Sequence, residues 1–533
     1  MKSLLKCLII GMLRMTVIYR DGREREIPDM SGEKRILVTG ATGYVGSRLV
    51  PRLLDKGYRV RVFARDINRL PSKSWFSQVE ICEGDVCETS PLRGAVSSIQ
   101  IAYYLIHSMA AGGPFSHRDV ELAVKFGETA RQAGVQRIVY LGGLGEPDAT
   151  LSEHLRSRQE TGRALRSGGV PVTEFRAAVI VGAGSISFEM IRYLTERIPV
   201  MICPRWVFKR IQPIAIDDVL CYLVAALDIH EGENRIFEIG GADIITYGEM
   251  IKGYARIRGL RRVLLPVPIL TPKLSSHWVH WTTPVPATYA RPLIEGLRSE
   301  VIVQNHDART LFPDMHPMEY DQALRRAVDE LRPQSFQEAL EAILERPVSK
   351  KYSREIRIDR GMITEVWQTI ARAKPEAVFG AFSSLGGRRG WLYMDWVWRL
   401  RAILDKLIGG VGMGSSQTQH DTLHEGDTLD FFRVEKIEPG RLLRLHVEMK
   451  LPGTGWLQFE SRPVNEGMTR LVQIVYYAPR GLLGLLYWYL FYPIHRLIFS
   501  GLLRKLAIIA EDNDALDRTS VRTNSEDSYG RSG

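Results

Sequence analysis

Three glycines spaced three residues apart follow a short apolar run near the start of the chain. The run Ile36-Leu-Val38 leads into Gly40, Gly43 and Gly46, after which an amphipathic stretch begins. This pattern predicts a buried strand, a tight turn and a helix. The N-terminal end of a helix attracts phosphates because it presents unpaired N–H groups and the positive end of the helix dipole. The candidate pyrophosphate-binding residues are Gly40, Thr42, Gly43, Tyr44, Val45 and Gly46.

The three glycines have separate predicted roles. Gly40 can take a backbone conformation that other residues resist, Gly43 lets the main chain approach the phosphates, and Gly46 lets the helix pack on the strand. The predicted helix ends at Gly57, and Pro51 is expected to bend it or to make its first turns irregular.

The end of the second predicted strand indicates which dinucleotide would bind. Arg65 follows the strand at 58–64, and an arginine there suits the 2′-phosphate of NADP, whereas an acidic residue would suit the ribose of NAD. We therefore predict that the protein binds NADP. The alternatives are that it binds NAD and that Arg65 is only a solvated surface charge. Asp85 and Val86 follow the third predicted strand. The Asp85 carboxylate would either reach an adenine amino group or cap a local turn.

Composition places the chain among ordinary globular proteins. Its 533 residues require two or three domains, and 45% of them are hydrophobic. Although the net charge is +10, the 71 basic and 61 acidic residues are interleaved, and no basic run alternates with aromatics, so nucleic-acid binding is not expected. The five cysteines form no C-x-x-C pair, which predicts reduced thiols in the cytoplasm and no metal site. Residues 1–31 are expected to be a dispensable leader, or else a membrane-surface anchor.

Strand and helix patterns alternate from residue 32 to about residue 227. Further strands are predicted at 101–106, 137–141 and 172–176, with helices at 115–133 and 154–166. Such alternation predicts an α/β Rossmann fold, a doubly wound parallel sheet with its ligand at the carboxyl ends of the strands.

Four motifs together resemble an extended, atypical short-chain dehydrogenase/reductase of the NmrA-like and complex I accessory-subunit-like branches. They are the glycine turn, Gly84-Asp85-Val86, Tyr140-Leu-Gly-Gly143, and Pro213-Ile-Ala-Ile-Asp217-Asp218-Val219. The resemblance covers about residues 32–345 and implies NAD(P) binding, with a small substrate lobe after residue 236. In that lobe, prolines and Trp278 and Trp281 between residues 266 and 292 predict an ordered apolar loop over a cleft.

Active members of this superfamily use a Tyr-x-x-x-Lys pair on a helix and a Ser or Thr at the end of the fifth strand. The matching positions here hold His154 and Arg158, and Gly142-Gly143 stands where the hydroxyl residue would be. Two interpretations are open. His154 is the catalytic acid or base and Arg158 the fixed positive charge, or neither takes part in chemistry. His107 is a rival catalyst.

A second architecture is predicted after a linker at 346–354. Residues 355–512 resemble an α+β helix-grip domain of the START/polyketide-cyclase-like (SRPBCC, DUF2867-type) kind, with the likeness carried by Pro375-Glu-Ala-Val-Phe and Tyr477-Ala-Pro-Arg-Gly481. Such a fold implies an apolar cavity between sheet and helix. A strand is predicted to start at Ile358, followed by a helix at 375–382 and antiparallel strands at 429–434, 442–449, 455–459 and 469–477.

The long apolar segment at 482–506 is predicted to be a helix packed in this domain, with peripheral membrane contact as the alternative to complete packing. Pro493, His495 and Arg496 within it disfavour a membrane span. The polar residues 513–533 are predicted to be a disordered tail.

These observations predict an NAD(P)-binding oxidoreductase or isomerase of a hydrophobic small molecule such as a quinone, a polyketide-like or a lipid compound. The alternative is a catalytically silent NADP-binding redox sensor or assembly factor. We expect a cytoplasmic protein with possible membrane association.

Overall fold

The computed structural model describes residues 34–70, 73–107, 115–145, 152–229, 232–267, 294–296, 300–344, 352–386, 390–407, 409–410 and 423–529. The chain forms two compact units. The first unit comprises the described residues of Met1–Ala178, Ile214–Ala242 and Val301–Pro317, and the second those of Val179–Pro213, Asp243–Glu300 and Met318–Gly533.

The described strands are, in chain order, β1 Arg35–Thr39, β2 Arg59–Ala64, β3 Glu80–Glu83, β4 Ile101–Tyr104, β5 Arg137–Gly143, β6 Val172–Ala177, β7 Ile180–Val181, β8 Val200–Pro204, β9 Arg210–Ile211, β10 Ile214–Ala215, β11 Arg235–Ile239, β12 Ile245–Thr246, β13 Val263–Val267, β14 Tyr352–Asp359, β15 Met362–Ala371, β16 Thr428–Leu429, β17 Phe432–Glu438, β18 Leu442–Val447, β19 Gly453–Asn465 and β20 Met468–Pro479.

The described α-helices are, in chain order, α1 Gly46–Asp55, α2 Thr89–Val96, α3 Phe115–Gln132, α4 Glu153–Ser167, α5 Ile186–Arg197, α6 Ile216–Ala225, α7 Tyr247–Ile257, α8 Asp307–Leu311, α9 Tyr320–Asp329, α10 Gln337–Leu344, α11 Pro375–Ser383, α12 Asp395–Leu407 and α13 Gly481–Tyr529.

The first unit is built on a parallel sheet with the strand order β3-β2-β1-β4-β5-β6-β11. Val38 at its centre pairs with Val62 on one side and Tyr103 on the other, and all three side chains are buried. The predicted doubly wound α/β fold is confirmed. The order places the carboxyl ends of β1, β2, β4 and β5 next to each other, which is where a ligand binds in such sheets.

The helix after the glycine turn continues through Pro51, which the sequence predicts to disturb it. Proline has no N–H to donate to the carbonyl of Ser47 four residues earlier. The indole Nε1 of Trp75 donates to that carbonyl instead, at 3.2 Å. A side chain from outside the helix therefore satisfies the acceptor that Pro51 leaves, and α1 keeps its length.

Two features of the first unit differ from the sequence prediction. Helix α2 was not predicted, and β5 continues through Gly142 and Gly143 instead of ending at Leu141. A Cβ on Gly142 would lie 3.0 Å from Oε1 of Glu174, a carboxylate that is buried between two arginines. The side chains around Gly142 and Gly143 leave little space for a Cβ, which explains why this end of the strand consists of glycines.

In the second unit, the C-terminal part forms an antiparallel sheet with the order β14-β15-β20-β19-β18-β17-β16. The predicted strand start at Ile358 is instead a hairpin that turns at Arg360 and Gly361, both of which have positive φ. The predicted helix at 375–382 is confirmed as α11, and Phe382 on it stacks on Phe459 of β19. Membership of this region in the START/polyketide-cyclase-like helix-grip family stays a prediction.

Helix α13 packs on this sheet with one side only. The buried residues on that side are Trp488, Ile498, Phe499, Leu502, Leu503 and Leu506. The predicted disorder from residue 513 is wrong for the first residues of that segment. Asp514 is buried, accepts a hydrogen bond from the Lys374 N–H at 3.3 Å and pairs with Arg518 at 2.6 Å, so these contacts hold the polar end of the helix.

Several predicted features lie outside the described residues. They are the leader at 1–31, the loop that carries Trp278 and Trp281, and most of the linker at 346–354. The domain boundaries along the chain stay a prediction, since the two compact units are assembled from alternating segments.

The buried carboxylate of Glu196 joins helices α5 and α7 of the second unit to the start of α13. Glu196 on α5 accepts hydrogen bonds from the Tyr254 hydroxyl at 2.9 Å, from Nε of Arg258 at 2.8 Å and from the Gly481 N–H at 2.5 Å. A substitution that removes a buried charge with this many donors destabilises the fold, because the donors lose their acceptor inside the protein.

We expect Glu196→Ala to lower the free energy of unfolding by about 3 kcal/mol, because it leaves Arg258 buried without its carboxylate. Urea unfolding followed by circular dichroism measures the change. Glu233→Ala is the control, since that carboxylate is exposed and its ion pair with Arg235 is long, at 3.9 Å. Equal stability of the two variants would contradict the assigned role of Glu196.

Candidate functional site

The glycine turn is closely packed against the end of β4. Gly40 has a φ of +70°, and a Cβ on it would lie 2.5 Å from the carbonyl oxygen of Leu105. A Cβ on Gly46 would lie 2.4 Å from the carbonyl oxygen of Gly40. Gly46 therefore lets the helix pack on the turn itself, whereas the sequence analysis assigned it to packing on the strand. The Gly43 N–H donates to the Gly40 carbonyl at 2.9 Å and closes the turn.

A cleft of about 790 Å³ opens at this turn, at the carboxyl ends of the strands. Among the predicted cofactor-binding residues, those that line it are Gly40, Thr42, Gly43, Arg65, Asp85 and Val86. The other three lie just behind the cleft. The ring of Tyr44 faces the Arg48 guanidinium at 4.5 Å, Val45 is the N-cap of α1, and Gly46 is its first residue.

The residues of this cleft fit a dinucleotide phosphate. The turn is free of Cβ atoms at the two positions where the backbone comes closest, and α1 begins directly behind it. At the neighbouring strand end, Arg65 is 75% exposed and its Nη1 lies 3.7 Å from Oδ2 of Asp85. The guanidinium is thus placed at the cleft with most of its surface open to a ligand.

Asp85 has a local structural role as well as its position in the cleft. Its Oδ1 accepts a hydrogen bond from the Cys87 N–H at 3.0 Å, which is the turn that the sequence analysis kept as an alternative. Partial burial alone would raise the pKa of this carboxyl, but the bonds from Cys87 and the positive charges of Arg65 and Arg118 lower it overall. The carboxylate therefore stays charged at neutral pH.

His154 lies in the first turn of α4, and Arg158 lies one turn further along the helix. The guanidinium of Arg158 donates to the carbonyl of Leu141 on β5, and a Cβ on Gly143 would lie 3.3 Å from its Cδ. The glycine at the end of β5 therefore makes room for Leu155, whose Cδ2 would be 2.9 Å from that Cβ, and for Arg158. The helix and strand are joined further by the Tyr140 hydroxyl, which donates to the Arg158 carbonyl at 2.9 Å.

A chain of three side chains connects α3, the end of β4 and α4. Nδ1 of His107 lies 3.2 Å from Oδ2 of Asp119, and Nε2 of His107 lies 3.2 Å from Nδ1 of His154. A carboxylate only accepts, so His107 donates to Asp119, and His154 then donates to His107. His107 lines the cleft, while His154 reaches it through His107. The two histidines that the sequence offered as rivals are parts of one chain.

Asp119 is a member of this chain that no sequence motif marks. The available signal was its place on a helix face, since Asp119, Leu122 and Phe126 follow each other at helical spacing and all three are buried. A carboxylate on an otherwise buried face needs a partner. The sequence alone does not say that this partner is His107, twelve residues earlier.

Burial changes the protonation of both histidines. The pKa of His154 is lowered to about 3, mainly by burial and in addition by repulsion from His107 and Arg158, while Asp119 opposes the shift. Burial also lowers the pKa of His107, although Asp119 opposes this. An exposed imidazole titrates near neutrality, whereas these two lose the water that stabilises their charged form.

A second candidate site is an apolar cavity in the second unit, which contains about 1070 Å³ of empty space. Strands β18–β20 and helices α12 and α13 enclose it, with aromatic walls that include Trp398, Tyr477 and Trp488. Its polar wall groups include Arg401, His495 and the Tyr476 hydroxyl. Among the described residues, Nδ1 of His495 has no hydrogen-bond partner, and burial together with the charge of Arg401 lowers its pKa to about 4.

No group of three or more His, Cys, Asp or Glu side chains within the described ranges could hold a metal ion.

Comparison with known proteins agrees with this geometry. Residues 40–173 match the NAD(P)H-binding family model, and residues 360–502 match a family described as a protein of unknown function, DUF2867. The (4-alkanoyl-5-oxo-2,5-dihydrofuran-3-yl)methyl phosphate reductase of Streptomyces griseus is 30% identical over 232 residues, which are 42% of this chain and 74% of the relative. The ceramide reductase of Caulobacter vibrioides is 27% identical over 44% of this chain and 73% of that protein.

Other similarities are shorter or more distant. A 3 beta-hydroxysteroid dehydrogenase/Delta 5-->4-isomerase of Mycobacterium tuberculosis is 35% identical over 116 residues, which cover 20% of this chain and 30% of the relative. The chain thus spans less than a third of that protein. The structure of the Citrobacter sp. triphenylmethane reductase complexed with NADP(H) gives a TM-score of 0.46 at 18% identity, over 55% of this chain and 99% of that one.

The extent of the match to the Streptomyces reductase, together with the two family models, confirms the predicted relationship. The chain belongs to the NAD(P)-binding, NmrA-like short-chain dehydrogenase/reductase family and carries a DUF2867 region in its C-terminal part.

Proposed function

We propose that the protein is an NADP(H)-dependent oxidoreductase that acts on a hydrophobic small molecule such as a quinone, a polyketide-like or a lipid compound. The observation that carries the proposal is the buried chain Asp119–His107–His154 beside the cleft of the glycine turn. It offers a means of proton transfer at the place where the family's Tyr-x-x-x-Lys pair is missing.

The preference for NADP rests on Arg65. The exposed guanidinium at the end of β2 can bind the 2′-phosphate, with Asp85 beside it to hold its orientation. The turn from Gly40 to Gly46 would hold the pyrophosphate. When bound, the cofactor supplies or accepts the hydride of the reaction.

The histidine chain can move the accompanying proton without leaving a charge on His154. In the oxidation direction, Nε2 of His154 accepts the proton of a substrate hydroxyl while its Nδ1–H passes to Nε2 of His107. The positive charge then lies on His107, 3.2 Å from the Asp119 carboxylate. Reduction uses the same steps in reverse. This arrangement suits a histidine whose own protonated form is unfavourable.

The hydrophobic substrate class is supported by two observations. The second unit contains an apolar cavity with few polar groups among its described walls, which suits a largely apolar ligand. The polar wall atoms without a hydrogen-bond partner are Nδ1 of His495, Nε1 of Trp398, Nε1 of Trp456 and the Tyr476 hydroxyl. The relatives include a ceramide reductase and hydroxysteroid dehydrogenases. We propose that the cavity binds a molecule of this lipid-like class.

A catalytically silent NADP-binding sensor or assembly factor is the second candidate. The tie between Arg158 and the Leu141 carbonyl favours it, because that guanidinium is already engaged within the protein. One of the relatives, 23% identical over 72% of its length, is the photosystem II assembly factor Ycf39 of Cyanophora paradoxa.

Turnover separates these two candidates. Purified protein with NADPH and a panel of quinones, long-chain ketones and sterol ketones is expected to oxidise the cofactor, as followed by absorbance. His154→Gln should lower kcat by about 10²–10⁴-fold because the proton acceptor is lost, with the Kd for NADPH unchanged. His424→Gln, an exposed histidine of the second unit, is the matched control. Saturable NADPH binding without turnover on any of these compounds would support the sensor instead.

Titration with the two cofactors tests the phosphate-binding role of Arg65. Arg65→Ala is expected to weaken NADPH binding by about 10- to 100-fold, because a hydrogen-bonded charge pair contributes about 1.5–3 kcal/mol, and to leave NADH binding unchanged. Arg59→Ala at the opposite end of β2 is the control. An unchanged preference in Arg65→Ala would disprove NADP selection by this residue.

The low pKa of His154 predicts a pH dependence of stability. Its pKa is about 3 in the folded protein and about 6.5 in an unfolded chain. Between these values the unfolded state binds more protons, so the free energy of unfolding decreases as pH falls, by up to about 1.4 kcal/mol per pH unit. His107 contributes with the same sign. Urea unfolding from pH 7 to pH 4 should show a shallower decrease for His154→Gln and an unchanged one for His424→Gln.

A further inference from the structure

Helix α13 presents a continuous apolar stripe to the solvent on the side opposite to its buried face. Leu483, Leu486, Leu490, Ile494 and Leu497 follow at helical spacing and are all exposed. The two most exposed, Leu483 and Leu490, keep 74% and 73% of their surface. Exposed leucines in a row over about 21 Å of helix are not explained by the packing of the domain.

A second exposed apolar stripe lies on α12. Its members are Trp396, Leu400, Ile403, Leu404 and Leu407, while Trp398 and Ala402 on the other side of the helix are buried in the core. Each helix therefore uses one apolar face to pack on the sheet and leaves another without a partner among the described residues.

The two stripes meet at the apolar cavity. Leu400 and Leu404 line it from α12, Phe491 and Ile494 line it from α13, and all four are exposed to solvent as well. The cavity therefore opens between the two stripes. A ligand that enters it passes over largely apolar surface.

The charges around the α13 stripe are those expected beside an anionic surface. From Gly481 to Ala510 the chain has no Asp or Glu, while it has Arg496, Arg504 and Lys505, which are all exposed. Leucine-rich exposed faces with a tryptophan at one end and flanking cations are typical of helices that lie in the headgroup region of a bilayer. Protein interfaces, in contrast, favour aromatic residues and are usually poor in lysine.

By length and composition, the segment Gly481–Arg518 is apolar enough to cross a membrane. The packing of α13 argues against that use. Trp488, Phe499 and Leu502 are buried in the core of the C-terminal sheet, so a span would have to pull them out of it. The helix can contact lipid with its exposed stripe while its buried side stays in place.

We propose that the face formed by the α12 and α13 stripes docks on an anionic lipid bilayer, so that the apolar cavity opens toward the membrane. The stripes would lie at the level of the headgroups, with the cations against the lipid phosphates. This inference does not depend on the reaction of the first unit, because it concerns the second unit alone and is tested without cofactor.

Vesicle flotation of the full chain tests the proposal. Wild-type protein is expected to float with phosphatidylcholine vesicles that contain phosphatidylserine, and less with phosphatidylcholine alone. Leu483→Glu/Leu490→Glu should lower the partition coefficient by at least about tenfold, since two apolar side chains are lost from the contact. Leu516→Glu is the matched control, because Leu516 lies on the same helix beyond the stripe and is 70% exposed.

A second pair, Ile403→Glu/Leu407→Glu on α12, gives an independent measurement should the first pair fail to fold. Loss of binding in either folded pair, with binding kept in Leu516→Glu, supports the proposal. Absence of wild-type flotation with both vesicle types, or wild-type binding by the folded pairs, overturns it. It is also overturned if sedimentation velocity shows a dimer that the pairs abolish while the vesicles bind nothing, because the face would then contact a second copy.

Discussion

The first unit depends on a close contact that only glycine allows. The Gly40 carbonyl faces Gly46 at the start of α1, and the Leu105 carbonyl at the end of β4 faces Gly40, each at a distance that leaves no space for a Cβ. The contact fixes how near the helix N-terminus comes to the strand ends, and therefore where a phosphate can bind. The positions of Arg65 and Asp85 at the neighbouring strand ends matter for a dinucleotide because this turn is fixed.

Beside the cleft, the environment decides what the polar side chains can do. His107 and His154 are held uncharged by burial, while Asp119 behind them provides a negative charge that can stabilise a transferred proton. The same residue types at the protein surface would titrate independently. Their possible function arises from being connected to each other and separated from water.

The second unit shows how one helix can serve a core and an external surface. The buried side of α13 packs on the antiparallel sheet, and Glu196 anchors the start of the helix to α5 and α7. These contacts keep α13 in place, so its opposite side can remain apolar and exposed without loss of the fold. The apolar cavity is lined by buried core residues on one side and by exposed residues of α12 and α13 on the other.

The sequence by itself determined the parallel sheet, the glycine turn and most strands of the C-terminal sheet, because hydrophobic periodicity and glycine spacing are local properties. It also indicated that Arg65 follows β2 and that His154 and Arg158 lie one turn apart on α4. Only the tertiary structure decided that Asp119, His107 and His154 form one chain and that the pKa of His154 is low, since both follow from contacts between segments up to 47 residues apart. The exposed side of α13 was likewise hidden in the sequence, where a helix apolar on all sides gives no sign of which face the sheet will cover.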